Sequence, residues 1–300
     1  MQYFSCPNQF IATGNSNHNG FKYGLTWMAY RPIHETECCI GNLHRYMPNY
    51  VARMWLKDKK GHPVAALYGP SSVVYDLGEG VTVKIDEITQ YPFEEQVKFK
   101  FTFFKDGKRS ADSHQMDFTY RIPGWCKAAE SGFHTESKEW KSGEVFTVRL
   151  PMQIEVVDAP VQGKCIQRGP IVYSYAIPAN WVEDTKIYDN LEGKVSANPE
   201  FKSWELTPAG KWNYALVENM LRGLRVQRTG NSGFPFDPES VPLKIRVPVK
   251  GVKDWTLKED RFTPALPETV VPESEQVEFI ELVPYGSTTL RLTTFPTIKE

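Results

Sequence analysis

The sequence predicts a mainly β protein: two β-sandwich domains preceded by a short helical segment. Three observations carry this. From residue 58 onward, apolar and polar residues alternate over short runs, the period of a half-buried strand. Between Ile40 and Trp55 the apolar residues recur instead at spacings of three and four, the mark of an amphipathic helix. At 300 residues the chain also exceeds what one compact core usually holds, so it divides into two or three units.

The first zone, residues 1–57, is irregular and polar as far as Ile33. Leu43, Met47, Tyr50, Val51, Met54 and Trp55 then continue the helical stripe that starts at Ile40. Pro48 lies inside it and predicts a break or kink there, with Pro48 opening a second segment. Lys57-Asp58-Lys59-Lys60-Gly61 reads as a basic last turn followed by a glycine stop. A helical stretch of this size is too small to bury a core alone. It either decorates the β-domain or is the tail of a helical domain absent from this chain.

The second zone, residues 58–160, alternates at Val81–Ile85, Val97–Phe103 and Val145–Leu150. Asp106-Gly107, Pro123-Gly124 and Ser142-Gly143 supply turns between these runs. The zone predicts an antiparallel β-sandwich. The third zone, residues 161–300, begins with a strand over 169–176. A long stretch rich in Pro, Gly and charge follows through residues 178–240. Further strands are predicted at 243–249 and 288–293, giving a second sandwich with long loops.

Composition excludes some functions. Hydrophobic residues at 41% and charged residues at 24% suit a globular domain. A net charge of −1 lacks the basic excess of a nucleic-acid binder. No apolar run approaches the roughly 18–20 residues that cross a bilayer. The N-terminus, MQYFSCPNQFIATGNS, has no basic region followed by an apolar one, so it does not read as a signal peptide. That leaves bacterial cytoplasm and periplasm both open. The aromatic content of 13% fits sandwich cores and sugar-stacking surfaces alike.

Five cysteines, at positions 6, 38, 39, 126 and 165, do not form a disulfide framework. Cys126 and Cys165 sit in strand-like surroundings and read as inert thiols. Cys38 and Cys39 are different. Between His34 and His44 lie two thiols, two carboxylates (Glu35, Glu37) and two imidazoles. Thiolates with imidazole or carboxylate make a zinc-type ligand set, although the spacing is not that of a zinc finger. A thiol at a helix N-terminus has a lowered pKa and suits a nucleophile. Two free thiols or a vicinal disulfide fit the same spacing.

The run Thr36-Glu37-Cys38-Cys39-Ile40-Gly41-Asn42-Leu43-His44-Arg45-Tyr46-Met47-Pro48 resembles the Cys-Cys-x-x-Asn signature of the β-L-arabinofuranosidases, glycoside hydrolase family 127. The resemblance continues, in order, through Arg121–Trp125, Arg168–Pro170, Trp212–Leu216 and Glu281–Arg291. It implies that residues 1–57 are the remnant of an (α/α)6-barrel catalytic domain, with sandwiches over 58–160 and 161–300. It further implies a retaining hydrolase in which Cys38 is nucleophile and zinc ligand and Cys39 a second zinc ligand. The other ligands and the acid/base Glu belong to helices upstream of the pair, and no Glu-x-Cys precedes Cys38 here. The chain alone is therefore expected to hold Zn2+ weakly or not at all and to be inactive.

By the same resemblance Tyr3 matches an active-site tyrosine, and His34 reads as a sugar contact or a packing histidine. Glu37, with Glu35, stands in for a missing acid or caps the helix. Asn42 and Arg45 brace the site or are surface polarity. The implied partner is a carbohydrate, an L-arabinofuranoside or related plant glycan, and a homodimer through a sandwich domain is compatible. The alternative reading is a non-catalytic β-sandwich module that binds carbohydrate or protein.

Overall fold

The structure, a computed structural model, describes residues 6–13, 30, 38–184, 200–230 and 233–299. The protein is mainly β, as expected, and divides into two compact units, 42–153 and 154–300 with 1–41. Among the described residues there is one α-helix, α1 (Cys38–Ala52), which runs through Pro48 without ending there. The expected break does not occur. The helix also ends earlier than the sequence suggests. The residues read as its basic last turn instead form the turn between β1 (Trp55–Lys57) and β2 (Pro63–Ala65), which pair antiparallel.

The 42–153 unit is a sandwich of two sheets. One contains β1, β2, β7 (Ser113–Ile122) and β8 (Gly132–Lys141), in that order. The other contains β3 (Ser71–Gly78), β4 (Val81–Thr89), β5 (Gln96–Lys105) and β6 (Lys108–Arg109), with β9 (Val145–Arg149) on the free side of β5. The pairing is not wholly antiparallel: β2 and β7 run parallel. The alternation seen in β5 has the expected cause. Val97, Phe99, Phe101 and Phe103 are fully buried, and the intervening lysines at 98 and 100 point outward. Phe101 packs 4.4 Å from Trp140 of β8 and 5.2 Å from Phe118 of β7, ring centre to ring centre. Aromatic contacts of this kind join the two sheets. The indole N–H of Trp140 is satisfied by the Met116 carbonyl at 2.9 Å.

The other unit is built on a nine-stranded sheet. Its main path is β10 (Ile154–Asp158), β11 (Lys164–Arg168), β12 (Ile171–Ala176), β18 (Glu278–Pro284), β17 (Leu243–Gly251), β15 (Tyr214–Val217) and β20 (Thr297–Ile298). β16 (Val226–Arg228) adds to β17, and β19 (Arg291–Leu292) adds to β12. The C-terminal segment closes this sheet on itself. It pairs with β12 through β19, with Lys164 through Phe295, and with β15 through β20. Closure removes edges that would otherwise expose unpaired backbone groups. Gly163 permits the crossing: its φ is +85, and a Cβ there would lie 2.5 Å from the Phe295 carbonyl oxygen.

A separate hairpin, β13 (Ala179–Glu183) with β14 (Trp204–Pro208), receives the N-terminal part of the chain through bridges Ala12–Leu206 and Tyr30–Trp204. The interior beside it is aromatic. Phe10 stacks 4.0 Å from Trp212 and meets Trp255 edge-on at 5.5 Å.

Candidate functional site

Cys38 and Cys39 are the first two described residues of α1, residues 31–37 lying outside the described residues. The first turn of a helix leaves backbone N–H groups without partners inside the helix. These groups and the helix dipole favour a thiolate over a thiol, and the first turn of α1 carries no acidic residue to oppose them. A helix that starts at the pair would put it where a nucleophilic or metal-binding sulfur gains most. The two side chains lie outside the described residues, as do Tyr3, His34, Glu35 and Glu37. Asn42 and Arg45 are exposed one turn apart on α1, where with Tyr46 and Asn49 they line a shallow surface pocket. The Arg45 carbonyl accepts from the Asn49 amide at 2.8 Å.

Zinc normally takes four ligands in a tetrahedron. Two adjacent thiolates are half of that set, so the pair would hold the ion only with ligands from outside the described residues. Of the other cysteines, Cys126 is buried and Cys165 lies 3.6 Å from the Thr294 hydroxyl. Cys6 is partly buried, and burial pushes its thiol up, against the opposing pull of Arg291. None of these three is in a disulfide.

Glu87, Arg168, Lys250 and Arg291 are buried ionisable groups, and two of them, Arg291 and Glu87, organise hydrogen-bond networks. Arg291 is 2% exposed. Its guanidinium donates to the Cys6 carbonyl at 3.0 Å, the Thr289 carbonyl at 2.9 Å and the Tyr285 hydroxyl at 3.1 Å. The Tyr285 hydroxyl donates to the same Cys6 carbonyl at 3.2 Å. Backbone pairing of Gln9 with Arg291 adds to this, so one side chain and its own backbone fasten residues 6–9 to the C-terminal strands. The second group is Glu87, 3% exposed on the core-facing row of β4 beside Val83 and Ile85. Its carboxylate oxygens accept from the Gly69 N–H and meet the Ser71 hydroxyl, both at 3.0 Å. Burial pushes its pKa up to about 7 despite these two contacts.

Residues 42–153 are thus a β-sandwich with one parallel strand pair and an aromatic core. Residues 64–152 match the family model of the "Beta-L-arabinofuranosidase, GH127 middle domain". Solved structures extend the likeness to most of the chain. A GH127 β-L-arabinofuranosidase from Geobacillus stearothermophilus T6 is 19% identical with a TM-score of 0.54, over 88% of this chain and 37% of that one. A structure described as a glycoside hydrolase is 16% identical with a TM-score of 0.61, over 97% of this chain and 45% of that one. A GH127 β-arabinofuranosidase is 14% identical with a TM-score of 0.57, over 92% and 40%. A search of curated proteins finds no match.

The chain thus resembles the GH127 β-L-arabinofuranosidases, as its motifs indicated, and residues 64–152 are the part that matches the family's middle domain. At these identities the solved structures establish the shared fold. The chain spans between 37% and 45% of the length of the three structures.

Proposed function

We propose that the chain is the C-terminal portion of a retaining glycoside hydrolase acting on β-L-arabinofuranosides or related plant glycans. In this reading residues 1–57 end a helical catalytic domain, and residues 58–160 and 161–300 are its two β-domains. The observation that carries it is the Cys38-Cys39 pair on a helix that leads directly into the segment matching the GH127 middle domain. The surface of that helix adds support. Tyr46, Met47 and Val51 are each more than 60% exposed, an apolar face that further helices of a catalytic domain would cover.

The chemistry follows from a cysteine nucleophile. The Cys38 thiolate attacks the anomeric carbon, forming a C–S bond as the bond to the leaving oxygen breaks. A carboxylic acid gives that oxygen its proton. The resulting carboxylate then takes a proton from water, whose oxygen displaces sulfur and restores the thiolate. When bound, zinc would hold the thiolates of Cys38 and Cys39 deprotonated. Its other ligands and the carboxylic acid would come from the helical domain. Tyr3 and His34 would contact the sugar, and Glu37, Asn42 and Arg45 would orient the cysteine turn by hydrogen bonds. The 300-residue chain alone would then be inactive.

The test is to read the coding DNA upstream of codon 1 and assay both lengths of chain on an aryl β-L-arabinofuranoside. The expected result is an in-frame helical domain containing Glu-x-Cys. The longer chain should turn over the glycoside and lose at least a thousandfold in rate on Cys38→Ala, and the 300-residue chain should be inert. Turnover insensitive to Cys38→Ala would refute the assignment. A stop codon directly upstream would favour the non-catalytic binding module. For that reading the relevant surface is Trp181, 49% exposed on β13 and edge-on to Trp204 at 5.9 Å.

A further inference from the structure

The turn between β1 and β2 carries a cluster that the GH127 chemistry does not use. Asp58 and His62 lie in that turn. Asp117 lies on β7 between the buried Met116 and Phe118, so it points to the side away from the core. Asp58 Oδ1 accepts the backbone N–H groups of Lys60 and His62, each at 2.8 Å. Its other oxygen is thereby turned toward the imidazole, 3.7 Å from His62 Nδ1. Asp117 Oδ1 accepts from the hydroxyl of Ser137, its direct partner across β7 and β8. Asp117 Oδ2 lies 3.4 Å from the same His62 Nδ1. That nitrogen is buried and makes no hydrogen bond among the described residues. On a side chain 25% exposed, it faces the two carboxylates at ion-pair distance, and an ion bridging the three would satisfy it.

We propose that Asp58, His62 and Asp117 form a binding site for a divalent first-row transition ion of the zinc type, distinct from the cysteine pair. One imidazole nitrogen and two carboxylate oxygens form a ligand set such ions accept, with water in the remaining position. The three ligand atoms lie within 4.8 Å of one another. Zinc bonds of about 2.0–2.1 Å in a tetrahedron hold ligand atoms about 3.3–3.4 Å apart. The two distances to Nδ1, 3.4 and 3.7 Å, are already close to this. Each carboxylate has its second oxygen held by a hydrogen bond from elsewhere, the usual support for a metal-ligating carboxylate. The Lys60 ammonium sits 2.9 Å from Asp117 Oδ2, on a side chain 70% exposed. It occupies the place of a cation and can swing into solvent when one arrives. The bound ion would clamp the β1–β2 turn to β7.

Equilibrium dialysis of the full chain against Zn2+ and Co2+ tests this, in a Cys38→Ser/Cys39→Ser background that removes the thiolates. One ion per chain is expected, with the intense visible absorption of low-coordinate cobalt in the Co2+ form. Asp117→Asn, which preserves the shape of the side chain, should weaken binding at least tenfold. Lys60→Ala removes the competing ammonium and should tighten binding several-fold, an outcome that requires a folded chain. No stoichiometric binding in the double-serine background overturns the proposal. So does binding that Asp117→Asn and Lys60→Ala leave unchanged, since metal would then be held elsewhere and His62 would be part of an ion-pair cluster only.

Discussion

Replacing Glu87 by Gln isolates the energetic consequence of a carboxyl placed in the core row of β4. Its two neighbours impose a hydrogen count. The Ser71 hydroxyl lies 3.0 Å from the Gly69 carbonyl and 3.0 Å from Glu87 Oε2, and it accepts the Trp55 indole N–H at 3.0 Å. One hydroxyl has one proton to give. If Ser71 donates to Gly69, the remaining contact is satisfied when Glu87 is protonated and donates to Ser71. The hydrogen-bond network and the burial therefore favour the same neutral form. The carboxyl titrates near 7 in place of its ordinary 4.5. At about 1.4 kcal/mol for each pH unit, this difference corresponds to ~3 kcal/mol.

Below pH 4.5 both folded and unfolded chains hold the proton and Glu87 adds no pH dependence. Between 4.5 and 7 the unfolded chain releases it while the folded chain keeps it. Stability then falls as pH rises, and the loss is complete once the folded carboxyl has ionised above 7. Gln supplies an N–H where the protonated acid supplies an O–H and carries no charge at any pH. Urea denaturation of both chains across pH 4 to 8.5 should therefore show similar stability at pH 4 to 4.5. By pH 8 the Glu87→Gln chain should lead by ~3 kcal/mol. The difference between the chains cancels the titration of distant groups. Parallel curves across the range would refute the reasoning, as would a lead that appears at low pH.

Two further substitutions probe the closed sheet. Gly163→Ala places a methyl 2.5 Å from the Phe295 carbonyl oxygen at a φ of +85. It should cost about 2 kcal/mol, read as a lowered thermal midpoint. An unchanged midpoint would show that the C-terminal segment does not press against this turn. Arg291→Met keeps bulk but removes the donors to Cys6, Thr289 and Tyr285. It should destabilise by about 3 kcal/mol and expose residues 6–13 to limited proteolysis. Intact protection of that segment would show that backbone pairing alone holds it.

The strands most legible in the sequence are those whose two faces differ. β5 reads Val-Lys-Phe-Lys-Phe and buries each alternate residue, so period and burial coincide. β8, Gly132–Lys141, was not legible because Trp140 is its only buried residue. A ten-residue strand that is polar on both faces offers no period to count; its register is set by β7. β15 fails for the opposite reason. All four of its residues are buried, and a run of four apolar residues inside a stretch rich in Pro and Gly does not separate strand from loop. The helix ends before the residues that resemble its stop, because Lys57–Gly61 carries the same residues as a helix stop and a hairpin turn. The pairing of β1 with β2 decides between them, and that is a tertiary fact.

The candidate site shows the same division between local and distant information. Cys38-Cys39 stands out in the sequence because its signal is local: two sulfurs and a motif in one run of residues. Asp58, His62 and Asp117 could not, because Asp117 comes from a strand 55 residues beyond His62 in the sequence. The parallel pairing of β2 with β7, Val64 beside Thr119, brings them together. A parallel pair requires a long crossover, here the whole sheet of β3 to β6. The same pairing that departs from the expected antiparallel sandwich thus assembles the cluster. A shift of β7 by one residue would turn Asp117 into the core and Phe118 outward. The register that buries Phe118 against Phe99 and Phe101 therefore also fixes Asp117 opposite His62.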